Sequence, residues 1–230
     1  MPKGFDVDVI REALKGMGVK DIEIAVTQFP ALIPGLQAGR FDIATGGLYI
    51  TPQRCKLVNF SETTLRVPDA AIVRKGNPKK IHSYADIAAR TDAVFGATRG
   101  SINAQRAEAA GVPKDRQLLF QDNASTISAL QSGRVDVMVS SAGAAMALLS
   151  DGKITGVERA TPFKGHVETG KELDGSGALA FRLEDGDLRD MFNEQIRRMK
   201  ADGTIKKIMS QYGFGESEVA ASVSTESLCK

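Results

Sequence analysis

Apolar positions along this chain recur with two alternating periods, one helical and one extended. Phe5, Val7, Val9, Ile10, Ala13, Leu14 and Met17 fall at roughly helical spacing between Gly4 and Gly18, which predicts an amphipathic helix stopped by a glycine. Residues 22–26, Ile-Glu-Ile-Ala-Val, read as a strand, and residues 31–39 as a helix with proline near its first turn and glycine at its end. Residues 41–44 make the next strand, so strand, helix and strand alternate with short connections. That order predicts an α/β chain built on a parallel sheet covered on both faces.

Further along, the apolar run 70–73 is short enough for a buried strand and residues 83–87 open a short helix. A strand is expected at 93–97, followed by a glycine-containing turn over 98–103 and a helix over 104–110. Residues 178–181 form a late strand, 188–201 an amphipathic helix, and 204–212 another, capped by Thr204 and stopped by Gly213. The Ser-, Ala- and Glu-rich segment 216–230 is expected to lie along the surface.

An internal repeat organises these elements. Leu36-Gln37-Ala38-Gly39-Arg40-Phe41-Asp42-Ile43 returns as Leu130-Gln131-Ser132-Gly133-Arg134-Val135-Asp136-Val137, each copy leading from a helix into an apolar strand end. Two copies are too few for a solenoid and imply two similar α/β lobes that share a cleft. The turns after the copies, Gly46-Gly47 and Ser140-Ser141, then face that cleft by the strand-end rule for open α/β sheets.

The candidate chemistry sits at such turns. In Gly46-Gly47-Leu48-Tyr49-Ile50-Thr51-Pro52-Gln53-Arg54, glycines turn the backbone while Arg54 offers a fork of donors that matches a carboxylate. The segment reads either as an anion clamp or as an ordinary solvated arginine at a helix start. Ser101, at the start of a helix, is likewise either an N-cap or a group that meets an anion. Cys55 and Cys229 lack metal-ligand spacing and are either unrelated thiols or a disulfide; His82 and His166 have no partner motif, which argues against a zinc site.

Composition narrows the partners. The formal charge is +2 with charges interspersed, which argues against nucleic acid. No apolar run approaches the roughly 18 residues of a membrane span, and Met1-Pro2-Lys3-Gly4 lacks the apolar core of a signal peptide.

Taken together, Gly4-Phe5-Asp6-Val7-Asp8-Val9, the segment 29–36, Ile50-Thr51-Pro52-Gln53-Arg54 with Asn59-Phe60-Ser61, the turn 96–101, the second repeat and Met199-Lys200-Ala201-Asp202-Gly203-Thr204 resemble the extracytoplasmic solute-binding proteins of polar amino acid uptake systems, over most of the chain. The resemblance implies the two-lobed type II periplasmic-binding-protein-like fold, with crossings near 64–68 and 173–177. Lobe I then holds residues 1–66 and 175–230, and lobe II residues 67–174. It implies ligand binding at the periplasm or another extracytoplasmic site, with an ABC-transporter permease as partner. It further implies a monomer without nucleic acid or cofactor.

By the same resemblance, Arg54 binds the ligand carboxylate with help from Gly47 and the backbone at Tyr49, Phe29 stacks on the ligand, and Thr98 and Ser101 reach it from the second lobe. Ser141 stands where amino-acid binders of the family keep an aspartate for the α-ammonium, and Tyr49 where a serine or threonine is usual. With the ammonium anchor gone and ring faces added, a delocalised or substituted cation fits better, as in the family's ectoine and hydroxyectoine binders. An ordinary polar amino acid is the alternative. A dehydratase-like enzyme on this fold is a further one, unsupported by any cleft acid–base constellation, so no enzyme is expected. Family members begin with a strand and a ligand-contacting loop before the first helix. This chain starts at the helix, so the expectation is either a start that falls inside a longer sequence or a precursor with an upstream region that carries a signal peptide. The family's export also implies that Cys55 and Cys229 are bonded.

Overall fold

A computed structural model describes residues 2–168, 170–215, 218–219 and 223–230. The chain divides into two units, one holding Met1–Thr27, Ala31–Arg66 and Ser176–Lys230, the other Gln28–Pro30 and Val67–Gly175.

The first unit opens with α1 (Phe5–Gly16), whose Phe5, Val9 and Ala13 recur every four residues and are buried. Asp6 and Asp8 in the first turn and Lys15 in the last complement the helix dipole. The strand expected at 22–26 is not formed: Ile22 and Ile24 are half-buried, but residues 19–28 join no ladder and Val26 is 83% exposed. Alternation reports which side is covered, whereas a strand also needs neighbouring backbone to pair with, and no described segment supplies it here. A 3-10 turn (Phe29–Ala31) leads to α2 (Leu32–Gln37), which ends with Gly39 at φ +68°. The strand expected at 41–44 shrinks to one antiparallel bridge, Ala44 with Ala180. In this unit the predicted parallel sheet is therefore absent among the described residues, leaving antiparallel pairs. A one-turn helix α3 (Pro52–Cys55) follows, then β1 (Asn59–Phe60) and β2 (Leu65–Val67).

The second unit is laid down next: β3 (Asp69–Arg74), α4 (Tyr84–Ala89), β4 (Phe95–Thr98), α5 (Ile102–Ala109), β5 (Gln117–Phe120), α6 (Asn123–Gln131), β6 (Val137–Ser141), α7 (Ala142–Leu149) and β7 (Val157–Arg159). Its sheet has the order β5-β4-β6-β3-β7. β4 is parallel to β5 and β6, and β3 is antiparallel to β6 and β7, so β3 alone runs against the other four. The expectation of a parallel sheet is corrected on this point, because hydrophobic runs report burial and carry no direction. Ala71, Val73, Phe95, Ala97, Val137 and Val139 meet Tyr84, Ile87, Ala107 and Val112 on one face of the sheet. On the other face α6 comes so close that a Cβ on Gly96 would lie 3.3 Å from Thr126 Cγ2.

The repeat is visible as repeated backbone. Gly39 N donates to Leu36 O at 3.0 Å and Arg40 N to Gly35 O at 3.0 Å; Gly133 N donates to Leu130 O at 3.1 Å and Arg134 N to Ala129 O at 2.8 Å. Both glycines have positive φ, +68° and +78°, which makes each Gly a left-handed helix stop.

A hairpin of β8 (Val167–Glu168) and β9 (Lys171–Glu172) precedes β10 (Gly175–Gly177), which pairs with β2. β11 (Ala180–Phe181) then pairs with β1, and α8 (Gly186–Ala201) and α9 (Thr204–Gln211) bury Phe192, Ile196, Met199, Ile205 and Met209. Phe181 and Phe192 meet at a tilt with ring centres 5.3 Å apart. Gly203, at φ +81°, holds the cap position of α9, so Thr204, expected as the cap, is its first helical residue. The last helix is α10 (Thr225–Leu228), where Thr225 Oγ1 donates to Ser61 O at 2.8 Å. A disulfide joins Cys55 to Cys229. Within the tail, residues 216, 217 and 220–222 lie outside the described residues.

Candidate functional site

In the first unit the chemistry is concentrated in the turn between Ala44 and α3. Thr51 caps α3, its Oγ1 accepting from Arg54 N at 3.3 Å, and Pro52 takes a first-turn position where its missing N–H costs nothing. That short helix aims Arg54 back along the turn, where Nη1 donates to Tyr49 O at 2.8 Å. Tyr49 is 4% exposed and bridges Gly177 of β10. Burial lowers the Arg54 pKa from 12.5 to about 10, with the field of Tyr49 acting in the opposite direction. A partly desolvated guanidinium gains more from an incoming carboxylate than one in bulk water, because the local dielectric is lower.

Gly47 behaves differently from its expected role. Its N–H donates to Asp6 Oδ2 at 3.0 Å, as do Gly46 N at 3.3 Å and Thr45 Oγ1 at 2.6 Å. The glycine turn does gather N–H groups around an anion, but the anion is a carboxylate of α1. Gly46 at φ +130° and Gly47 at φ +69° adopt backbone that L side chains avoid, which is why this turn needs glycine.

In the second unit, β4 and β6 run parallel side by side, so Thr98 and Ser141 end neighbouring strands at one edge of the sheet. Thr98 is 8% exposed and donates from Oγ1 to Asn123 Oδ1 at 3.0 Å. Gly100, at φ +74°, turns the chain toward Ser101. Two serines in similar sequence settings part company here. Ser141 caps α7, its Oγ accepting from Ala144 N at 3.2 Å. Ser101 holds the cap position of α5 but makes no capping bond, and its Oγ is buried without a hydrogen-bond partner. A buried hydroxyl left unsatisfied costs about 1–3 kcal/mol, a deficit that a ligand oxygen or N–H can remove. Phe29 opens the 3-10 turn, half-buried, in the 28–30 stretch that groups with the second unit.

The profile of the bacterial extracellular solute-binding proteins, family 3, matches residues 1–216. The chain belongs to this family. Over 99% of its length it is 37% identical to a "Probable amino-acid ABC transporter periplasmic-binding protein" of Sinorhizobium fredii, covering 76% of that protein. Among solved structures it resembles EhuB in complex with hydroxyectoine, at 36% identity and a TM-score of 0.88, covering 99% of this chain and 86% of the other. It also resembles an ancestral arginine-binding protein bound to arginine, at 31% identity and a TM-score of 0.77, covering 92% and 88%. As a family 3 solute-binding protein it has the α/β, two-lobed fold class expected from sequence. No helix among the described residues is long and apolar enough to cross a membrane.

Two features of this solute-binding protein escape a sequence reading. Asp6 looks like a dipole-complementing residue of α1, and only the fold brings it under the Thr45–Gly47 backbone. Asp69, at the start of β3, accepts from Arg106 Nη1 at 2.7 Å, Asn103 Nδ2 at 2.8 Å and Tyr84 Oη at 3.0 Å. Burial raises its pKa, with the charge of Arg106 the main opposing influence. Nothing in the sequence near Pro68-Asp69-Ala70 signals that three donors will converge there.

Proposed function

We propose that this chain is the substrate-binding component of an ABC transporter, carrying a small zwitterion outside the cytoplasm to a membrane permease. Its ligand is ectoine or hydroxyectoine. Arg54 holds the carboxylate, Phe29 and Tyr49 offer ring faces to the cation, and Thr98, Ser101 and Ser141 supply hydroxyls. Gly47 acts through its turn, since its N–H is committed to Asp6. The observation that carries the choice of ligand is Ser141, an uncharged helix cap where a compact ammonium would need a carboxylate. A cyclic amidinium carries a more diffuse charge, which ring faces stabilise by about 0.5–2 kcal/mol each when desolvated. The hydroxyectoine complex of a structural relative supports the same reading.

The Cys55–Cys229 bond fits an oxidising compartment. In this reading the arginine and the hydroxyls hold the ligand, and no proton transfer is asked of them. The second reading, a polar amino acid as ligand, is favoured by relatives such as the arginine complex. A thermal-shift panel separates the two, because only a ligand that binds the native state stabilises it by mass action. Millimolar ectoine or hydroxyectoine is expected to raise the melting temperature by several degrees, and glutamine, histidine and arginine by much less. Stabilisation by an amino acid alone would support the second reading.

A further inference from the structure

Asp69 and Arg106 form an ion pair at 2.7 Å with side-chain exposures of 0% and 8%. Asp69 is the register partner of Ser141 across the antiparallel β3–β6 pair, and directly opposed residues share one face of a sheet with Cβ atoms about 5 Å apart. A carboxylate therefore sits one side chain away from Ser141. Arg106 and Asn103 both come from α5, three residues apart on one helix face, and Ser101 holds the cap position of that helix. Ala142 N donates to Pro68 O at 2.9 Å, so the start of α7 is tied to the same corner. Glu172 lies nearby but is exposed, with its Oε1 accepting from Gly165 N at 2.5 Å. Water screens it more than it screens the buried pair.

Buried ion pairs add little net stability, since apolar residues of equal volume often serve as well or better. What this pair does is set a charge. We infer that Arg106 is a specificity-determining residue of the candidate site, cancelling the Asp69 charge beside Ser141 so that this corner does not serve as an ammonium anchor. The inference rests on the reading above that the ligand's cationic end lies at Ser141. Asn103 and Tyr84 complete the cage and keep the carboxylate turned toward α5.

The test is calorimetric titration at pH 8, above the ordinary carboxylate range, where an incoming ammonium favours the ionised Asp69 against its burial, with ectoine and glutamine against wild type and three variants. Arg106→Gln frees the Asp69 charge and is expected to move the ectoine-to-glutamine affinity ratio toward glutamine by about tenfold or more. Asp69→Asn together with Arg106→Gln removes both charges and should return the ratio to within about threefold of wild type. Asp69→Asn alone leaves Arg106 uncompensated and should weaken both ligands, which decides the matter if Arg106→Gln does not fold. A folded Arg106→Gln with an unchanged ratio, a double variant shifted as far as the single one, or an Asp69→Asn that binds both ligands like wild type would overturn the inference while leaving the site reading intact. A wild-type protein that binds neither ligand would overturn both.

Discussion

Replacing Arg54 by alanine is expected to abolish ligand binding while the protein stays folded. The guanidinium is lodged in a turn where burial has already lowered its pKa to about 10, and the ligand carboxylate would be left without its charged partner. Losing one member of such a pair costs roughly 2–5 kcal/mol, about 30-fold to several-thousand-fold in affinity. The effect on folding should be small. Arg54 donates to Tyr49 O, a charge-assisted hydrogen bond worth about 1.5–3 kcal/mol, but its removal also relieves the burial of a cation. Calorimetry and thermal unfolding on the same preparation read the two effects separately. Affinity retained within a few-fold would remove Arg54 from the site.

The second large effect concerns the Cys55–Cys229 bond. It spans a sequence separation of 174 residues, and closing so long a loop in the unfolded chain corresponds to about 5 kcal/mol in the chain-entropy picture, with losses of 2–5 kcal/mol typical when native bridges are removed. Cys55→Ser with Cys229→Ser should therefore lower the melting temperature by roughly 10 °C. The consequence reaches the site, because Cys55 is the last residue of the helix that carries Arg54. Equal denaturation midpoints with and without reductant would contradict it.

How far the sequence leads depends on which interactions a feature needs. The glycine stops at Gly39 and Gly133 are local events, and both repeat copies fold into the same hydrogen-bonded turn. The run 70–73 is buried as its composition demands. Segments 22–26 and 41–44 have strand-like patterns yet form no ladder, because pairing depends on distant backbone that periodicity does not register. The two serines of the candidate site make the same point. Ser101 and Ser141 each precede a helix, and only tertiary burial makes one a cap and leaves the other's hydroxyl unsatisfied. Asp69 was illegible for a related reason, its partners lying 15, 34 and 37 residues away.

The most direct measurement of the central claim is a calorimetric comparison of ectoine with glutamine, histidine and arginine on the wild-type protein and on Ser141→Asp. The account predicts that wild type prefers ectoine by at least about tenfold, roughly 1.4 kcal/mol, and that Ser141→Asp narrows the gap by restoring a carboxylate for the ammonium. Tight binding of a standard amino acid by wild type, with none of ectoine, would contradict it.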